Sequence, residues 1–408
     1  MNYREAIDWL YSTQLFGIKL GLEAPRRLLR DFLAYPKHGT KVIHVAGTNG
    51  KGSTCAMIDA LGKNLALRTG LFTSPHLIDY RERVRVSGID ITEERCAQLL
   101  TELKDLVADW DHHPTFFELT LALAMRHFRE SACELIILET GMGGRLDATT
   151  AVPADVCVIT PVALDHTQWL GSTLTEVASE KGGIVVKGKP LLSAKQKPEA
   201  QLELERCANQ AQAPLTFINE PLLGYPIGIP GQHQKENAAL ACEAMISAGY
   251  YLSYDVVLHS LSKLRWPGRF EVLESIPFGH QAPFVLDAAH NPHAAEALVA
   301  TWKERFGEKK AQVIFGAADD KEVQTVLKVI SEITEHFHLV PVKSPRSLEV
   351  KALSELVTLT EFTAYSTLEN ALNSTADNNA HTLLTGSLFL IGELKGILNN
   401  KSTRSSSQ

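Results

Sequence analysis

Val42-Ile43-His44-Val45-Ala46-Gly47-Thr48-Asn49-Gly50-Lys51-Gly52-Ser53 runs from β-branched and apolar residues into glycines and then into helix-compatible residues. The pattern predicts a strand over 41–46, a tight turn, and a helix from Ser53 on which Ile58, Leu61 and Leu65 share one face. Gly70 lies just beyond as a stop signal. Glycines let the turn fold so closely that its N–H groups face an anion, and the helix N-terminus adds a favourable dipole. Lys51 offers a point charge to β/γ-phosphates, and Ser53 a hydroxyl to phosphate or Mg²⁺. Asn49, Gly50, Lys51, Gly52 and Ser53 are therefore candidate nucleotide-binding residues. The loop departs from Walker A spacing: Val45 stands five positions before Gly50, and Gly52 fills the Ser/Thr position after the lysine. An ordinary βα turn is the competing reading, and a nucleotide site fits the strand–loop–helix context better. The Asn-Lys-x-Asp motif of a regulatory GTPase does not occur in the sequence.

Outward from this loop, short apolar runs alternate with helical periodicity, the signature of parallel α/β architecture. Further strands are expected over 69–73, 134–139 and 155–160; Leu135, Ile136, Ile137 and Leu138 suit a central strand covered on both faces. Pro and Gly interrupt the pattern over 267–283. Beyond it, strands over 284–288, 312–316, 337–341, 362–365 and 382–385 alternate with helices over 292–306, 320–334, 350–359, 368–377 and 388–398. The expected fold is α/β: a large P-loop ATPase-like domain with a mainly parallel sheet over 1–279, a smaller Rossmann-like domain over 280–398, and a polar tail over 399–408.

The 408 residues carry a net charge of −7, with 45% hydrophobic and 21% charged residues. This excludes a disordered chain and argues against a general nucleic-acid binder, which is normally strongly basic. No apolar run approaches a membrane span, and the N-terminus lacks a signal-peptide core. Six scattered cysteines without a CxxC pair read as reduced thiols of a cytosolic protein.

Phosphoryl transfer needs Mg²⁺ held by oxygen ligands, and three expected strand ends offer ligands. They are 72–77 with Ser74, 138–148 with Glu139 opening into glycines, and 164–167 with Asp165 and His166. Each alone has an ordinary structural explanation; together with the phosphate loop they favour function. Lys181, by composition alone, is a helix C-terminal lysine stopped by Gly182 and Gly183.

The motif set resembles the ATP-dependent amide ligases that include the Mur ligases, and more closely the dihydrofolate synthase/folylpolyglutamate synthase branch. The matching segments are GTNGKGS (47–53), TSPHL (73–77), TFFE (115–118), LETGMGGRLDAT (138–149), LDHTQWLG (164–171) and EKGGI (180–184). HQKENAA (233–239), WPGRFE (266–271), LDAAHNPHA (286–294) and SPR (344–346) follow in family order. The resemblance implies an ATP-dependent ligase that joins L-glutamate to dihydropteroate or to the γ-carboxylate of a folate. It places Asn49 to Ser53, Asn237, Arg269 and Asp287 on ATP, Ser74 and Glu139 on one Mg²⁺, and His166 on a second. Lys181 would be carboxylated on Nζ by CO₂ and ligate metal. Lys51, Lys181 and His166 would carry catalysis. Phe116, Phe117, Glu118, Leu146, Asp147 and Ala148 would form a pterin-side pocket bordered by 19–21, and the ATP site would lie at the domain interface. A cytoplasmic monomer with small-molecule substrates, and no nucleic-acid or membrane partner, is expected. Two residues depart from the family pattern: Thr140 where an aliphatic residue is common, and Ala288 where many members have glycine. The alternative is a cell-wall Mur ligase, which normally carries an N-terminal domain for which the roughly 40 residues before the loop leave no room.

Overall fold

The computed structural model describes residues 1–16, 21–273, 278–280, 282–318, 322–344, 347–376 and 380–399. Residues 19 and 20, residues 345 and 346 of the Ser-Pro-Arg motif, the expected helix ends at 320 and 377, and the tail from 400 lie outside the described residues.

The first sheet holds eight strands: β1 (Lys41–Ala46), β2 (Thr69–Phe72), β3 (Val84–Val86), β4 (Ile89–Asp90), β5 (Leu135–Glu139), β6 (Val156–Ile159), β7 (Leu191–Ala194) and β8 (Leu215–Ile218). Their order is β4-β3-β2-β5-β1-β6-β7-β8, parallel from β2 to β8 with antiparallel β3 and β4 at one edge. Successive residues point to opposite faces, so each central strand feeds two cores. Val42, Ala46, Ile136 and Leu138 enter the core beneath the helices Glu93–Val107 and Phe116–Glu130. Ile43, Val45, Leu135 and Ile137 enter the other, beneath Lys51–Asn64, Gln232–Ser247 and Tyr254–Ser262. The three-layer arrangement explains the unbroken apolar run of β5.

The second sheet holds β9 (Glu271–Leu273), β10 (Phe284–Leu286), β11 (Ala311–Phe315), β12 (Thr334–Leu339), β13 (Phe362–Ala364) and β14 (His381–Thr385), in the order β13-β12-β11-β14-β10-β9. All neighbours are parallel except β9 against β10. The sequence expectation puts the domain break near 280, and the second sheet takes in residues before it. Glu271, Val272 and Leu273 pair with Leu286, Val285 and Phe284, so the second sheet begins at Glu271. A three-residue edge strand beside proline and glycine has no periodicity to announce it.

Elements expected from periodicity recur with shifted ends. The first long helix starts at Lys51 rather than Ser53 and stops at Asn64, where Ala66 takes a left-handed backbone (φ +60°). The helix expected over 320–334 is Val323–Ile330, followed by a 3₁₀ turn, and β12 begins at Thr334. Strands β3, β4, β7, β8 and β9 were not expected. No helix among the described residues is long and apolar enough to cross a membrane.

Ile137 is fully buried in the central strand. Ile137→Ala is expected to lower unfolding free energy by about 3 kcal/mol, read from the urea midpoint; a loss under about 1 kcal/mol would contradict a rigidly packed β5.

Candidate functional site

Parallel strands deliver their following loops to one edge, and register decides which residues meet there. Val45 pairs with Glu139, and Phe72 with Leu138, so the loops after β1, β5 and β2 emerge side by side. Thr48 and Asn49 donate their N–H groups to the Pro161 carbonyl, at 3.0 and 3.3 Å, which ties the phosphate loop to the segment after β6. Gly50 then turns with φ +92°, where a Cβ would lie 2.6 Å from Asn237 Oδ1. No side chain caps the helix that starts at Lys51. Its first-turn N–H groups are the orphan donors that an anion satisfies. Lys51 Nζ folds back onto the carbonyls of Gly47 and Thr48, each at 3.1 Å.

The departure at Gly52 has a steric cause. A Cβ there would stand 3.2 Å from Trp266 Nε1, a tight approach, and in ordinary contact with Glu139 Oε1 at 3.5 Å, so a serine would press on the indole. Ser53 follows, buried, and its hydroxyl has no hydrogen-bond partner among the described residues. Glu139 is 6% exposed and accepts the Ser74 N–H at 3.1 Å. Burial pushes its carboxyl up, against Lys51, the Ser74 N–H, Arg269 and Arg83. An orphan hydroxyl and a buried carboxylate beside an anion cradle fit Mg²⁺, which prefers few protein oxygens and completes its shell with water and phosphate. Among the described residues no group of three or more His, Cys, Asp or Glu could hold a metal ion. Nucleotide oxygens would have to share the ligation.

Lys181 reaches the same loop from the helix Leu174–Gly182. It is 3% exposed, and Nζ donates to the Gly47 carbonyl at 2.9 Å, the oxygen that Lys51 also uses. Burial and the Lys51 charge push its ammonium down to about 7, against the pull of Asp165, Asp147 and Glu180. Its position is therefore not that of a solvated C-terminal lysine. His166 sits at φ +49° after β6, its Nε2 3.8 Å from Asp165 Oδ1. Burial alone would raise the Asp165 carboxyl; His290, His166 and Lys51 more than reverse this and hold it well below the usual range.

The second domain closes over the loop through matched amides. Asn49 and Asn291 exchange hydrogen bonds at 3.2 and 3.0 Å, and Asn49 Nδ2 lies 2.9 Å from His293 Nδ1. The Asn291 oxygen also caps the helix Pro292–Phe306 by accepting the Ala294 N–H. His290 Nε2 stands 3.8 Å from Asp165 Oδ2. Asn237 lies over Gly50, and its amide donates to Gln234 Oε1 at 3.1 Å. Asp287 spends its carboxylate on the Phe270 and Ala289 N–H groups, each at 2.9 Å, and thereby fixes the turn carrying Arg269.

On the other side, Phe117 lies against Gly141 and Phe72, while Phe116 packs edge-on to Tyr11 and Tyr80. The Glu118 carboxylate closes a capping box with Thr115. Asp147 accepts from the Met142 and Thr149 N–H groups, Ala148 is buried and Leu146 is half-buried. Phe116, Phe117, Glu118 and Asp147 thus serve local packing and hydrogen bonding, next to the glycine-rich segment that carries Glu139. Asn291, His293 and Trp266 complete the phosphate-loop surroundings. Asn291 lies in the LDAAHNPHA segment that the family resemblance points to, and an Asn before Pro is a cap signal; His293 and Trp266 reach the loop by contacts that no local pattern announces.

Gly50→Ala is expected to weaken binding of an ATP analogue about tenfold without changing the circular dichroism spectrum, because alanine must adopt a left-handed backbone against Asn237. Affinity within about twofold of the parent would show that the loop relaxes freely.

Two family models match in order: the Mur ligase middle domain over 45–194 and the Mur ligase glutamate ligase domain over 268–388. The chain is 32% identical to the dihydrofolate synthase/folylpolyglutamate synthase of Bacillus subtilis, over 96% of this chain and 98% of that protein. It is 31% identical to the Escherichia coli enzyme of the same name, over 86% and 84%. Two solved structures superpose along nearly the whole length, both 28% identical. E. coli FolC in complex with DHPP and ADP gives a TM-score of 0.86 over 97% of this chain and 98% of that one. The Yersinia pestis bifunctional enzyme with AMPPNP and Mn gives 0.88 over 98% of each. Loop, carboxylate, buried lysine and end-to-end likeness agree, and the chain belongs to the dihydrofolate synthase/folylpolyglutamate synthase family of Mur-type ligases.

Proposed function

We propose that the protein is an ATP-dependent ligase that joins L-glutamate to dihydropteroate and to the γ-carboxylate of (tetrahydro)folates. The observation that carries this reading is the uncapped helix N-terminus at Lys51, flanked by buried Glu139 and Lys181 and covered by Asn291 of the second domain. The end-to-end match to a folate enzyme favours it over a cell-wall ligase.

A carboxylate is a poor electrophile, so it must be activated before an amine attacks. A substrate carboxylate oxygen attacks the ATP γ-phosphorus, ADP leaves, and an acyl phosphate remains. The glutamate nitrogen then attacks the acyl carbon, phosphate departs with the C–O bond pair, and the amine proton passes to solvent or a nearby base. Lys51 and the first-turn N–H groups hold the β- and γ-phosphate oxygens as charge moves toward the leaving side. Asn49, Asn237, Arg269 and Asp287 seat the nucleotide, the last by fixing the Arg269 turn. Phe116, Phe117, Glu118, Leu146, Asp147 and Ala148 shape the pterin side. Closure through Asn49 and Asn291 excludes the water that would hydrolyse an acyl phosphate. Two Mg²⁺ ions, one with Ser74 and Glu139 and one with His166 and modified Lys181, would neutralise phosphate charge when bound.

Lys181 is proposed to be carboxylated. Both lysines donate to the Gly47 carbonyl, so turning the Lys181 ammonium into a carbamate anion replaces repulsion of Lys51 by attraction, and the carbamate nitrogen keeps one hydrogen with which to hold Gly47. Only the free amine attacks CO₂, and an ammonium pushed down to about 7 is mostly free base above that pH. Six free cysteines, five of them buried, fit a reducing compartment such as the cytoplasm. A monomer is the proposed working unit.

Purified protein with ATP, Mg²⁺ and L-glutamate is expected to form an amide product with dihydropteroate and with tetrahydrofolate in parallel assays. Absence of product with both would overturn the assignment. With ¹³C-bicarbonate, a carbamate resonance is expected that grows from pH 6 to pH 8 and is missing in Lys181→Arg. An identical spectrum for parent and variant would remove Lys181 from the role.

A further inference from the structure

His44 is a polar residue between the apolar Ile43 and Val45 of β1, and is 1% exposed. Burial pushes its ring down to about 3, so the imidazole is neutral. A neutral buried ring is tolerated when its polar atoms are matched. His44 Nε2 lies 2.7 Å from Thr149 Oγ1 and 3.0 Å from Thr140 Oγ1. Thr149 Oγ1 in turn donates to Asp147 Oδ1 at 2.5 Å. Thr149 has one hydroxyl proton and spends it on the carboxylate. The His44 nitrogen must therefore be the donor toward Thr149, with Thr140 as a second acceptor of the same proton. Each link points the same way, and the chain ends on the buried Asp147 carboxylate, whose other oxygen holds the Met142 N–H at 2.9 Å.

The two hydroxyls belong to opposite ends of one loop. Thr140 directly follows Glu139, and its N–H also binds the Val45 carbonyl at 3.0 Å. Thr149 closes the loop at the 3₁₀ turn capped by Asp147. A single ring nitrogen on the rigid central strand thus grips both ends of the 140–149 segment. We propose that His44 is a positioning residue that locks this loop, so that the nucleotide-side carboxylate Glu139 and the pterin-side Asp147 keep a fixed spacing. The Thr140 hydroxyl has a buried partner in the His44 ring. The inference rests on the pterin-side placement of Asp147 given above.

The test uses the full chain and two pairs of variants. His44→Val removes the donor, whereas His44→Gln carries an amide N–H near the position of Nε2. Thr149→Val cuts the link to Asp147, and Thr149→Ser keeps the hydroxyl. Without ligands, amide hydrogen exchange in peptides covering 140–149 is expected to accelerate in His44→Val and Thr149→Val and to return toward the parent rate in His44→Gln and Thr149→Ser. Peptides over 47–53 are expected to be unchanged. In steady-state assays the KM for dihydropteroate is expected to rise about tenfold in the two valine variants, with the KM for ATP within about twofold and partial rescue in the other two. Unchanged exchange over 140–149 in both valine variants would overturn the positioning role, as would a loss of thermal stability without the KM split or rescue. Faster, rescuable exchange with an unmoved dihydropteroate KM would establish the lock and overturn the pterin-side placement of Asp147. If His44→Val does not fold, the Thr149 pair decides alone.

Discussion

The hydrogen-bonding register of β1 between β5 and β6 governs everything else in the first domain. Val45 opposes Glu139 on one side and Val158 on the other, so three parallel strands end at nearly one level. A slip of one residue would turn Glu139 and His44 to the opposite faces of the sheet. The phosphate loop, the carboxylate and the segment leading to Asp165 would no longer meet. The apolar residues alternating into two cores hold that register, which is why so much of the fold serves one edge.

At that edge the chain gathers charge against its own overall sign. Lys51 and Lys181 both donate to the Gly47 carbonyl, and two ammonium groups on one oxygen repel each other in a setting where water screens little. Burial depresses the Lys181 ammonium most, and the Lys51 charge lowers it further. Phosphate oxygens drawn to Lys51, or the loss of charge on Lys181, would relieve this repulsion. Asp165, held ionised by the surrounding cations, adds a fixed negative charge beside His166 and His290. The net charge of the chain thus says little about a site that binds anions, because local donors decide.

The sequence made the phosphate loop and the main βα rhythm legible, since glycine spacing and apolar periodicity are local properties. The core of β1, β2, β5 and β6 was found within a residue at either end, and the helix Pro292–Phe306 in full. Short edge strands such as β9 escaped because three residues carry no period. The interruption of periodicity over 267–283 hides the start of the second sheet, because β9 is already paired with β10 there. Within the site, Lys181 was legible only through family likeness. Residue by residue it is a capped helix end, and its burial against Gly47 is a contact across more than a hundred residues. His44 gave a weaker signal, a polar residue between apolar neighbours, whose meaning depends on Thr140 and Thr149 arriving from elsewhere.

Asn49 and Asn291 show how the two domains depend on one another. Each amide offers the other a donor and an acceptor, so the pair is held by two reciprocal hydrogen bonds. The Asn291 oxygen also caps its own helix, which fixes the direction in which it can meet Asn49. Helix geometry in the second domain therefore sets where that domain rests on the phosphate loop, and His293 on the first turn of the same helix adds a second contact. Because the contact is made to the loop rather than to the sheet, any shift of the loop on binding a nucleotide is felt at the domain interface. The phosphate loop and the second domain are thereby joined through the side chains of Asn49, Asn291 and His293.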